Sequence, residues 1–335
     1  MSSPRQLGLF EDIRPANPRR KHVEPAIPSK DVRAVAGKLP SQIYLGTSSW
    51  SFPGWQGIVY ADGFSTAKLA REGLQAYASH PLLRSVGVDR TYYAPIDSDT
   101  FRNYADQVPD DFRFLVKAHD ACTLPRFPDQ PRYAKAVVGE KNELFLNPRY
   151  ASDEVVGPYL EGLGEKAGVL LFQFTPLDPK EVGGPDALAD QLHRFLDGLP
   201  DEGRYAVELR NPSLLNRNYL DALKDKGAVH CLNAHPSMPP VRMQSEIDGA
   251  LAGDAVVVRW MLYPRYAYQQ AKNRYQPFNR LVDEDAATRN AVVGLAKTAV
   301  AENRPLFVIA NNKAEGSAPL SLIRLAGAIV EDQIS

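Results

Sequence analysis

A chain of 335 residues, 44% of them hydrophobic and 24% charged, can bury a large core, either as one barrel-sized domain or as two ordinary ones. Its formal net charge of -1 excludes attraction to nucleic acid or anionic membrane through an overall field, so any anion has to be held by a local patch. Cys122 and Cys231 lack CxxC spacing and no apolar run approaches the roughly 20 residues of a bilayer span, which argues against a disulfide framework and a membrane span and makes a cytoplasmic protein the expectation.

Residues 1–40 differ from the rest. Pro4, Pro15, Pro18, Pro25, Pro28 and Pro40 punctuate a segment with the basic run Arg19, Arg20 and Lys21, and so little apolar surface does not offset the entropy of ordering it. The expectation is a Pro-rich N-terminal extension, a tail or a strap laid over a domain of residues 41–335. Inside it, Gln6-Leu7-Gly8-Leu9-Phe10 resembles the QLxLF peptides with which bacterial DNA-processing proteins dock on the replicative sliding clamp. Such a peptide inserts Leu9 and Phe10 into a preformed apolar groove, and the alternative is an apolar anchor packed on the domain.

From residue 41 onward strand and helix patterns alternate. Short, nearly uninterrupted apolar runs at 43–46, 85–90, 112–117, 168–174, 204–208, 228–232, 255–259 and 306–310 suit strands buried on both faces. Helical periodicity falls at 66–78, 98–107, 186–199, 212–226, 285–302 and 318–330. Eight strands separated by helices predict an α/β fold of the (β/α)8 TIM-barrel class, with an open doubly wound sheet as the alternative. Against that alternative, no GxGxxG turn follows the first strand and no Walker loop is present. Connections 118–150 and 260–284 exceed what a barrel needs. Both follow strand C-termini, where barrel enzymes build their sites, and read as lids.

If the barrel closes, its strand ends gather Thr47, Ser48 and Trp50; Asp89, Arg90, Tyr92 and Tyr93; Lys117 and His119; Gln173; Glu208 and Arg210; Asn233 and His235; Arg259; and Asn311, Asn312 and Lys313. Lys117, Glu208 and Asp89 are the candidates for chemistry, with Glu208 as general acid or base and Lys117 stabilising negative charge. Trp50, Arg90, Tyr93, Gln173, Arg210, Arg259, Asn311 and Asn312 are the candidates for substrate binding, the three arginines offering planar forks to a phosphate or carboxylate. Glu208 and Arg210 also fit a purely structural ion pair at the barrel top. His119 and His235 with Asp89 and Glu208 could hold a divalent metal, but neither histidine lies in an HxH or HExxH motif, and no cofactor is predicted.

The segments GTSSWSFPGWQGIVY, VDRTYYAP followed by DDFRFLVKAH, YAVELRNPS and LFVIANNKAEGSAP resemble, in order, the motifs of the domain of unknown function 72 family over residues 41–332. The resemblance implies a TIM barrel and places Trp50, Tyr93, Lys117, Glu208, Arg210 and Asn312 at that family's marked positions, without implying a reaction. The chain departs from the pattern on the second strand, where Gly87 stands for an acid and Asp89 for an asparagine, and on the seventh, which ends Val258-Arg259-Trp260 with no histidine. The function expected is that of an enzyme acting on a phosphorylated or otherwise anionic substrate. The alternatives are a sliding-clamp-associated nucleic-acid-processing or DNA-repair protein and a non-catalytic ligand-binding barrel.

Overall fold

The computed structural model describes residues 22–130 and 133–334. Eight parallel strands, β1 (Ile43–Thr47), β2 (Leu83–Val88), β3 (Arg113–Lys117), β4 (Ala167–Gln173), β5 (Tyr205–Glu208), β6 (Val229–Ala234), β7 (Val256–Trp260) and β8 (Leu306–Ala310), pair in sequence order, and β8 closes onto β1. The fold is therefore a (β/α)8 barrel and not an open sheet.

Strand side chains alternate between the two faces. One set, including Leu115, Leu171, Ala206, Cys231, Val257 and Ile309, packs together as the barrel interior. Their strand neighbours, such as Val116, Phe172, Val207, Leu232, Val258 and Val308, join the larger layer between strands and helices. Counting on by two from the interior set reaches Lys117, Gln173, Glu208, Asn233, Arg259 and Asn311 at the C-terminal ends. The register sets Gln173 beside Glu208 and Asn233 beside Arg259.

The helices are α1 (Lys30–Ala36), α2 (Thr66–Glu72), α3 (Leu74–Ala78), α4 (Ser98–Ala105), α5 (Pro148–Ala151), α6 (Gly157–Leu163), α7 (Pro185–Asp197), α8 (Arg217–Asp225), α9 (Val241–Ser245), α10 (Tyr268–Tyr275), α11 (Ala286–Ala301) and α12 (Ala318–Ile334). In α7, Leu188, Ala189, Leu192, Phe195 and Leu196 form one buried stripe at helical spacing, and each fully buried Leu or Phe stabilises by about 1.5–3 kcal/mol.

Several boundaries differ from those expected, each for a local reason. The 66–78 segment is two helices, because Gly73 ends α2 in close contact: a Cβ there would lie 2.5 Å from the Leu69 carbonyl oxygen. The 212–226 segment opens with a tight turn at Pro212–Leu214, and α8 starts after Asn216, whose Oδ1 accepts from Tyr219 N. β2 stops at Val88 because the Thr91 hydroxyl bonds the carbonyls of Val88 and Lys117 and holds the following residues in a turn. The run through α5 and α6 was not expected. Gly162 within it is a packing residue, since a Cβ on it would lie 2.4 Å from the Ser98 carbonyl oxygen of α4. α1 lies in the Pro-rich extension and α10 inside the 260–284 connection.

Residues 22–40 run over the barrel as a strap. Ala26 N donates to Val59 O and Ala61 N to Glu24 O, both at 2.9 Å, and Val32, Val35 and Ala36 of α1 pack on the main core. The Gln6–Phe10 peptide lies outside the described residues. Among the described residues no helix is long and apolar enough to cross a membrane.

Candidate functional site

The barrel's upper interior is a charged layer built around Glu208. Its carboxylate is completely buried, with Oε1 2.5 Å from Arg210 Nη2 and Oε2 bonded by Arg259 Nη1. Arg259 also donates to Gln173 Oε1 at 2.7 Å and reaches Asp89 Oδ1 at 3.8 Å. Burial alone would raise the Glu208 pKa, but Arg210 and Arg259 outweigh it and hold the carboxyl below its ordinary range. Burial likewise opposes the charge on Arg259, yet Glu208 and Asp89 keep that guanidinium firmly protonated.

Above this layer sits Asp89, whose side chain is 35% exposed and whose Oδ1 lies 3.3 Å from Lys117 Nζ. Lys117 is buried, with its ammonium 5.1 Å from the Tyr92 ring centroid. Desolvation lowers its pKa, and Asp89 partly opposes that shift. A second lysine, Lys313, enters from the loop after β8. Its Nζ lies 4.4 Å from the ring centroid of Tyr268, which belongs to α10 of the long 260–284 connection. Burial brings the Lys313 pKa down to about 8, with Asp89 opposing and Lys272 adding to the shift. The connection packs its own small apolar cluster, Leu262, Ala271, Tyr275 and Phe278, against Phe52 of the first loop.

The sequence candidates therefore divide. Asp89, Lys117, Gln173, Glu208, Arg210 and Arg259 meet in one place. Arg90 does not join the other two arginines in a three-armed fork: it is turned toward α4, where Nη1 donates to Tyr104 OH at 3.0 Å. Trp50 is buried edge-to-face on Tyr104 at 5.3 Å, whereas Tyr93 is 60% exposed and stands edge-on to Tyr92. Asn312 works inside the scaffold, its Oδ1 accepting from Trp55 Nε1 and from Ala318 N at the start of α12. Asn311 ties β8 to β1 by donating to Ser48 Oγ at 2.8 Å.

The histidines have other partners. His119 Nδ1 lies 2.6 Å from Tyr150 OH and its Nε2 lies 3.6 Å from Asp120, while His235 Nδ1 bonds Ser237 Oγ at 2.8 Å. Among the described residues no group of three or more His, Cys, Asp or Glu side chains is arranged to hold a metal ion. Lys313 and Tyr268 are the residues that sequence reasoning passed over. The first stood in the strand-end inventory without a role, and the second was one of several tyrosines in a long loop.

A closed parallel barrel with a charged layer at its C-terminal mouth defines a (β/α)8 barrel protein of the kind that places ligand sites on that face. The chain belongs to the family described as protein of unknown function DUF72, whose sequence profile matches residues 44–334. It is 26% identical over 195 residues to UPF0759 protein YecE of Escherichia coli K12, a match covering 55% of this chain and 54% of YecE, so the chain spans about half the length of that curated relative. A DUF72 family protein from Thermotoga maritima MSB8 superposes with a TM-score of 0.55 at 16% identity over 85% of this chain and 98% of the other. One from Enterococcus faecalis V583 gives 0.51 at 19% identity over 86% and 95%. These structural likenesses concern the fold alone.

Proposed function

We propose that the mouth binds a small anionic substrate, phosphorylated or carboxylated, and acts on it as an enzyme. The observation that carries this reading is the charge imbalance: four cations, Lys117, Arg210, Arg259 and Lys313, converge on two carboxylates, Asp89 and Glu208. An anion entering beside Lys117 and Lys313 would complete the neutralisation in a partly desolvated site, where each charge interaction is stronger than in water.

Within this reading the catalytic roles are divided differently from the expectation. Glu208, fully buried and clamped by two guanidinium groups, is suited to fixing Arg210 and Arg259 rather than to moving protons. Asp89 is the carboxylate within reach of solvent and of Lys117, so it takes the part of general acid or base.

Thermal unfolding with inorganic phosphate and sulfate tests the reading. Saturating anion at about 100 times Kd should stabilise the protein by about 2.7 kcal/mol, and Lys117→Met should weaken the response. No shift with either anion at about a thousandfold the micromolar affinities typical of such sites would remove the proposal's support.

A second reading rests on Gln6–Phe10 and gives the chain a sliding-clamp partner and a nucleic-acid-processing role. Fluorescence titration of the 1–15 peptide against a bacterial clamp decides it. Absence of binding at about tens of micromolar would discard that reading.

A further inference from the structure

We propose that Lys313 is a nucleophilic amine that forms an imine with the aldehyde or ketone group of a small anionic substrate. The inference rests on the mouth being an anion site and adds a covalent step to it.

The surroundings of the amine single it out. Arg210 and Arg259 are committed to Glu208, and Lys117 lies 3.3 Å from Asp89. Lys313 Nζ, by contrast, makes neither a hydrogen bond nor an ion pair among the described residues; its one close partner is the face of Tyr268. The residue is only 8% exposed, so water does not fully solvate the amine either. Its backbone is pinned on both sides, since Lys313 N donates to Asn311 Oδ1 at 3.0 Å and its carbonyl accepts from Tyr263 N at 2.9 Å. A buried ammonium whose sole contact is an aromatic face gives up its proton more readily than one held by a carboxylate. The charged and titratable groups facing it are Asp89 from the end of β2 and Tyr268 and Lys272 from α10. With the pKa brought to about 8, about a quarter of the amines are uncharged at pH 7.5, against about one in a thousand for an ordinary lysine.

The step balances without a further reactant. The lone pair of the neutral amine attacks the carbonyl carbon and a C–N bond forms. The C–O bond of the resulting carbinolamine then breaks, and the oxygen leaves as water carrying the two protons that were on nitrogen. Lys117, paired with Asp89, holds the anionic group of the same substrate. In the proposed step Asp89, which faces the amine, passes the proton to the departing hydroxyl. The imine withdraws electrons from the neighbouring carbon and so favours loss of a proton or cleavage of a bond there.

The test uses the full chain, glyoxylate as the probe and cyanoborohydride to reduce the imine, with peptide mass mapping of the labelled lysines. The expected result is a single saturable adduct on Lys313, forming at least about tenfold faster than the mean of the surface lysines and slowed by inorganic phosphate. Lys313→Arg should lose the adduct at that position without shifting it to Lys117. If phosphate stabilises the protein but Lys313 labels no faster than surface lysines, or if the adduct falls on Lys117, the covalent step is wrong while the anion site stands. If phosphate neither stabilises nor slows labelling, both readings fail.

Discussion

Replacing Glu208 by Gln keeps the shape of the side chain and removes its charge, leaving buried Arg210 without its counter-ion and Arg259 with only Asp89, at 3.8 Å. Removing one partner from a buried, hydrogen-bonded ion pair costs about 3–5 kcal/mol. Unfolding entropy of about 2.1 cal/mol/K per residue, taken over about 290 residues, gives about 0.6 kcal/mol/K, so the expected fall in Tm is about 5–8 °C by circular dichroism. Replacing all three charges together, Glu208→Leu with Arg210→Met and Arg259→Met, leaves no uncompensated ion and should recover most of that loss, because apolar replacement of a buried ionic cluster is often neutral. The pH dependence follows from the sign of the shift. The folded carboxyl titrates below its unfolded value of about 4.3, so its contribution is fully present above that pH and disappears as pH falls through the folded pKa. The gap in Tm between wild type and Glu208→Gln should therefore stay constant above about pH 5 and close only in acid. A loss of less than about 1 °C, or a gap that closes well above pH 5, would refute the view that Glu208 is the charge on which the mouth is assembled.

Other outcomes follow from the same layer. Lys313 has a folded pKa of about 8 and an unfolded one of about 10.4, so the native state releases its proton first and stability gains from this group as pH rises between those values. Lys313→Met should flatten that part of the stability curve measured by urea unfolding, and an unchanged slope would contradict the desolvated environment. Asp89→Asn removes a negative charge from the mouth, so phosphate should bind about five- to tenfold more tightly while turnover of any substrate is lost; weaker binding in calorimetry would count against the anion site. A Cβ on Gly54 would lie 1.6 Å from the Pro277 carbonyl oxygen, so Gly54→Ala should speed hydrogen exchange in 263–282 while leaving the strands protected. Equal exchange in the two proteins would mean that the first loop does not hold the 260–284 connection in place.

The barrel was legible because its strands are buried on both faces and so appear as apolar runs, and because eight of them alternate with helices. The departures arose where one residue type serves two purposes. Gly73 breaks a helix and Gly162 builds a helix contact, and nothing in the local pattern separates them; only the approach of Leu69 in one case and Ser98 in the other does so. The same limit applies to the site. Once the barrel is granted, period-two counting from Leu115, Leu171, Ala206 and Val257 delivers Lys117, Gln173, Glu208 and Arg259 inward, so the charged layer is a consequence of strand geometry. Arg90 falls outside that rule. It lies beyond the end of β2, in a turn fixed by Thr91, and its direction is set by Tyr104 of the next helix.

Lys313 was obscured for a different reason, which bears on how the family's members can differ. Its position after β8 is fixed by Asn311, but the contact its amine makes is with Tyr268, 45 positions earlier, in a connection that packs as a separate apolar cluster. The charged floor of the mouth is thus built by strands, whereas the amine above it lies against a residue of a long loop. A chain of this fold that kept Glu208, Arg210 and Arg259 but carried another residue at the position of Tyr268 would retain the floor and alter the amine. Tyr268→Ala should then change the rate at which glyoxylate labels Lys313, while the Tm contribution of Glu208 stays unchanged. Coupled changes at both places would show that floor and loop act as one unit.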